Sequence, residues 1–140
     1  MKRLFSLGLL VALAAASALA GCGGVKAADL FIVYRGGSTP HARLTLLVNE
    51  EGGVHCNGGL TLKLSDPALV QARAIQEELH DAAASHLSLA PGPGSVLSYY
   101  VRDESGTVSF SDNSAKQPKV LRQLQLFVLQ TAQQVCHLPQ

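Results

Sequence analysis

The sequence predicts an α+β fold, a two-layer sandwich in which an antiparallel sheet of about five strands carries two helices on one face, in the order βββ(β)αββα. Short β-branched and aromatic runs fall into two groups separated by glycine-rich turns. Parallel crossovers would need strands and helices to alternate one by one, so this grouping points to antiparallel pairing. Each group is followed by a stretch whose apolar residues recur at helical spacing. The 119 residues that follow an N-terminal apolar segment suffice for one core and are too few for two.

Residues 30–35, LFIVYR, read as a first strand that stops at Gly36 and Gly37. Residues 42–48 alternate Leu44 and Leu46 against Thr45 and read as the second. The polar NEEGG at 49–53 supplies the glycines of a hairpin turn, which puts Cys56 on a third strand over 54–57. LTLKL at 60–64 alternates again as a short continuation. Ser65 or Asp66 caps a first helix, Pro67 suits its first turn, and Leu69, Ala72, Ile75, Leu79 and Ala83 form its apolar stripe. APGPGS at 90–95 blocks further helix, and residues 95–101 and 107–111 make a hairpin around RDESG. Asn113 or Ser114 is expected to cap a last helix that runs to about Val135. Its apolar side carries Val120, Leu121, Leu124, Phe127, Val128, Thr131, Ala132 and Val135, and Leu126 alone points into the polar arc, where an isolated exposed leucine carries no meaning.

Lys2 and Arg3 precede an uncharged, mostly apolar stretch over residues 4–20, the layout of an export signal. A membrane-spanning helix is the rival reading, because about 17 to 25 apolar residues cross hydrocarbon. The stretch ends in Leu19, Ala20, Gly21 and Cys22. This tetrapeptide resembles the lipobox of bacterial lipoproteins: a branched apolar residue, a small one, Gly or Ala, then Cys. The resemblance implies that residues 1–21 are removed, that Cys22 is acylated, and that residues 22–29 tether a single domain over 30–140 to the extracytoplasmic side of a membrane. Two or more acyl chains, at about 0.8 kcal/mol per buried CH₂, hold a small domain durably on a bilayer. A broader likeness is to small secreted bacterial lipoproteins with a late cysteine, and it implies no activity.

Without residues 1–21 the chain keeps nine basic and ten acidic residues, a formal net charge of −1. No basic patch invites nucleic acid. Cys56 and Cys136 remain, and outside the cytoplasm an isolated pair in a small domain reads as a disulfide. A zinc site with neighbouring His55 and His137 is the alternative, but adjacent Cys and His on a strand face opposite ways and lack the usual ligand spacing.

Motifs for catalysis, phosphate binding or thiol redox chemistry are missing, and the five histidines show no ligand spacing, so the domain is expected to be noncatalytic and to need no cofactor or metal. An envelope enzyme without a recognisable motif remains the alternative. Recognition of a protein or other envelope component has three candidate features, of which APGPGS at 90–95 reads as a stiff connector rather than a ligand site. The loop RGGSTPH begins with Arg35, Gly36 and Gly37, where glycine permits close backbone approach, although an ordinary strand connection has the same composition. Of the adjacent Tyr99 and Tyr100, one faces the core and the other, taken as Tyr100, is free to touch a partner. The order of elements together with Arg35, Gly36 and Gly37 is similar to the emfourin-type inhibitors of thermolysin-like metallopeptidases, a resemblance that implies peptidase inhibition.

Overall fold

The computed structural model describes residues 28–139. The N-terminal apolar segment, Cys22 and the start of the tether lie outside these residues. Strand β1 spans Asp29–Gly37, β2 Leu44–Asn49, β3 Gly53–Cys56 and β4 Leu62–Lys63. Helix α1 spans Asp66–Ala84, β5 and β6 follow at Leu97–Arg102 and Thr107–Ser111, and α2 covers Lys119–Gln134. All pairings are antiparallel and the sheet order is β4-β3-β2-β1-β5-β6. The sheet thus has six strands rather than about five. The added one, β4, has two residues and pairs Leu62 with Val54 and Lys63 with Gly53.

Alternation along β1 decides the layering. Phe31, Val33 and Arg35 point into the protein, while Ile32 is half-buried and Tyr34 exposed on the other side. Leu44, Leu46 and Val48 of β2, Val54 of β3, Tyr99 and Val101 of β5, and Val108 and Phe110 of β6 continue the inner face. Both helices pack on it. Ala72, Ile75, Leu79 and Ala83 of α1 are buried as their spacing predicts, and Leu69 is half-buried at the rim. The Ser65 side chain caps this helix by accepting from the Ala68 amide. Seven of the eight residues expected on the apolar side of α2 are buried, and the Phe127 ring meets Phe31 edge-on at 5.9 Å.

The two helices cross opposite ends of the sheet. Helix α1 lies under the β2–β3 and β5–β6 turns: Leu69 sits below Gly52, and the Ala83 carbonyl presses against Gly106. The chain enters at this same end, where the Ala28 carbonyl accepts from the Glu50 amide. Helix α2 crosses the other end, and a disulfide between Cys56 on β3 and Cys136 just beyond α2 closes a span of 80 residues with Cα atoms 6.0 Å apart. The outer edge of β6 is covered as well, because Ser109 exchanges backbone hydrogen bonds with Leu87 and Leu89.

Several element ends differ from the sequence reading: β3, β4 and β5 occupy Gly53–Cys56, Leu62–Lys63 and Leu97–Arg102 in place of 54–57, 60–64 and 95–101, and three further ends have a clear local cause. β1 continues to Gly37 because Gly36 and Gly37 pair with Ser98 and Leu97. β2 starts at Leu44, since residues 39–42 turn back on themselves through the Ala42 amide and the Thr39 carbonyl. Helix α2 starts at Lys119 with Pro118 as its N-cap residue and no side-chain cap. Pro118 disfavours helical geometry at Gln117, and Lys116 has a φ of 58° that no right-handed helix accommodates. Asn113 and Ser114, expected as caps, serve loops instead: Ser114 Oγ accepts from the Ser111 amide and Asn113 holds Gly92 and Pro93.

Candidate functional site

The end of the sheet crossed by α2 gathers three loops: residues 38–43 after β1, residues 90–96 before β5, and residues 112–118 after β6. Arg35 braces the first of them from below. Its side chain is buried, its Nε donates to the Ala42 carbonyl at 2.9 Å and one terminal nitrogen donates to the His41 carbonyl at 3.2 Å. His41 takes a φ of 62°, so these carbonyls turn inward toward the guanidinium. The Ser38 amide, donating to the Val96 carbonyl at 3.1 Å, ties the loop to its neighbour.

Gly37 is where these two loops touch. A Cβ on it would sit 2.1 Å from the Val96 carbonyl oxygen, whereas one on Gly36 would meet only Ser98 Oγ at 3.5 Å. Gly37→Ala therefore separates the loops and is expected to destabilise the protein by about 2 kcal/mol or more, with Gly36→Ala close to neutral. Parallel chemical denaturation of the two variants checks the contrast, and equal stabilities would refute the close approach.

Asp112 fastens the second loop. Its carboxylate accepts from Ser95 Oγ at 2.7 Å and from the Val96 and Leu97 amides at 3.3 Å. Burial, the largest single influence, raises its pKa, but these hydrogen bonds and that of its own amide together hold it below the usual carboxylate value. A lowered folded-state pKa stabilises the protein above the ordinary value of about 3.9 and ceases to do so as pH falls through the folded one. Asp112→Asn is accordingly expected to cost about 1 kcal/mol at neutral pH. Denaturation at a series of pH values should show the gap to the native chain closing below about pH 4; a gap that stays constant down to acid pH would contradict this.

Between the first loop and α2 lies a cleft of about 320 Å³ lined by Arg35, Thr39, Pro40, His41, Ala42, Leu97, Tyr99, Gln125, Leu126 and Leu129. Tyr99 stacks on Phe110 with centroids 5.0 Å apart. Burial raises its hydroxyl pKa, Arg35 pulls it back and Asp112 adds to the rise, so it enters the cleft as a neutral phenol. Leu126 and Leu129 form the exposed lip, 50% and 38% accessible. Sequence reasoning gave Leu126 no role. The missed signal is its partner three residues on, since Leu126 and Leu129 are neighbours on one helical stripe. A shallower hollow of about 440 Å³ beside Gly37 is formed by the 91–96 loop.

The predicted contact residues do not form one site. Arg35 is a buried brace, Gly36 lies in strand pairing and Gly37 makes the loop junction. Tyr100 projects from the opposite sheet face, tilted against Tyr34 with centroids 6.0 Å apart. Strand register accounts for the separation, because Tyr99 pairs with Arg35 and Tyr100 with Tyr34. Tyr100 is nonetheless exposed, as expected of the second tyrosine. His55 faces away from the disulfide and contacts the Gly59 carbonyl and Thr61 Oγ1. Among the described residues no three His, Cys, Asp or Glu side chains converge as a metal group, and no helix is long and apolar enough to cross a membrane.

Comparison with protein-family models, curated proteins and solved structures finds no match to this chain.

Proposed function

We propose that the protein is an exported bacterial lipoprotein, acylated at Cys22, whose noncatalytic domain recognises a protein or other envelope component through the cleft beside α2. The observation that carries this reading is the placement of the cleft at the end of the sheet opposite Ala28. The chain from Cys22 to Ala28 reaches at most about 21 Å, so the entry end stays near the bilayer. Strand β1, nine residues long, then carries its Gly37 end about 26 Å farther along the sheet. An anchored domain of this design displays the cleft to partners.

Feeding cells an alkyne-bearing fatty acid tests the anchor. The native chain should take up the label and sediment with membranes, while Cys22→Ala should do neither. An unlabelled native chain would refute the proposal.

Peptidase inhibition is a second reading, favoured by the braced loop. Residues 38–41 are exposed yet held by the Arg35 hydrogen bonds and the Ser38 to Val96 bond, and a preorganised loop loses little entropy on entering an active site. Titration against a thermolysin-like peptidase decides it, and undiminished hydrolysis at excess protein removes it.

A further inference from the structure

We infer that the cleft beside α2 receives an acidic segment of a partner protein, with one apolar side chain of that segment seated between the 39–42 turn and the Leu126–Leu129 lip.

The acidic residues of this chain are sorted by position. Nine of the ten acidic residues lie on α1 or at the strand ends near Ala28, and Asp112 alone lies at the cleft end. Arg43, Lys116, Lys119 and Arg122 are all exposed at the cleft end. Lys63, Arg73 and Arg102 share the acidic end, so a net charge near zero hides an end near Ala28 that is acidic on balance and a cleft end that is basic on balance. Lys119, Arg122, Leu126 and Leu129 follow one another at helical spacing, so the cations continue the apolar lip along the same exposed stripe of α2.

The size and chemistry of the cleft narrow the occupant. Its volume of about 320 Å³ is at the low end of ligand sites, which run from about 300 to 1,000 Å³, and it suits one or two side chains. The cleft is lined mainly by apolar and neutral side chains, with Lys119 and Arg122 beyond its lip on the same stripe of α2. In such a contact a buried anchor contributes most affinity and flanking charges set encounter rate and partner choice. A bilayer is also anionic and apolar, but the tether leaves the acidic end, which places the cleft end away from the membrane that holds it. This step rests on the anchored reading given above.

The test uses full-length protein extracted from membranes into neutral-lipid nanodiscs, with a fluorescein-labelled peptide of glutamates flanking one phenylalanine as probe. Anisotropy should rise on binding, and added salt should weaken it. Leu126→Ser and the paired Lys119→Glu and Arg122→Glu should each reduce affinity by about tenfold or more. Tyr100→Ser, on the opposite sheet face, should leave it unchanged. The inference is overturned if the native chain ignores the probe, if glutamate-to-lysine exchange in the probe does not abolish binding, or if phosphatidylglycerol vesicles compete it away. Intact mass of the same sample reports the acyl group on Cys22. An acylated protein that ignores the probe overturns the partner assignment alone, whereas an unacylated one overturns the anchored reading beneath it.

Discussion

Replacing Cys56 and Cys136 together by alanine is expected to remove about 4.5 kcal/mol of stability. The disulfide closes 80 residues of chain, and the entropy withheld from the unfolded ensemble grows with the logarithm of that span. In a domain of this size the loss corresponds to a fall of roughly 15 to 20 °C in Tm. Cys56 sits next to the β4 edge and Cys136 follows α2, so the bond also holds the C-terminal helix across the sheet. Thermal melts with and without reductant check the magnitude: the native chain should drop to the variant's midpoint when reduced, and the variant should not respond. A reduced native chain that melts at its oxidised midpoint would show that the bond contributes nothing.

Phe127→Ala is expected to cost about 3 to 5 kcal/mol, the range for deleting a fully buried aromatic side chain. Phe127 is 1% exposed and its ring meets Phe31 edge-on, so the deletion also removes an aromatic pair worth about 0.5 to 1.5 kcal/mol beyond its area. The vacated space lies where α2 crosses β1, and close-packed surroundings relax only partly into it. Its neighbour provides the internal comparison. Leu126→Ser, one residue earlier but on the exposed lip, should stay within about 0.5 kcal/mol of the native chain. Urea denaturation of both variants measures the difference, and similar losses would contradict the helix orientation.

Much of the architecture was legible in the sequence because it depends on near neighbours. Alternation in LTLLV and TVSFS, the stripe from Ala72 to Ala83 and the buried side of α2 all report which way successive side chains point. The start of α2 was misplaced because Asn113 and Ser114 are good caps in isolation, and only their bonds to the 92–93 loop and to Ser111 divert them. LTLKL alternates over five residues, but only Leu62 and Lys63 pair with β3, because pairing depends on the partner strand and not on the alternation itself. Alternation also separated Tyr99 from Tyr100 correctly, but it could not say that Arg35 would share a face with the buried one.

Local patterning along the chain settles the kinds and order of the elements and the inward faces of the helices, and Cys56 with Cys136 is the one cysteine pair among the described residues. These follow from contacts within a few residues and from elimination. Tertiary structure alone decided that α2 lies across the end of the sheet where the Arg35-braced loop stands, making a cleft from residues up to 94 positions apart. It likewise gathered nine of the ten acidic side chains at the opposite end. Such placements depend on which distant segments meet when one shared core is buried, and no local pattern encodes that choice.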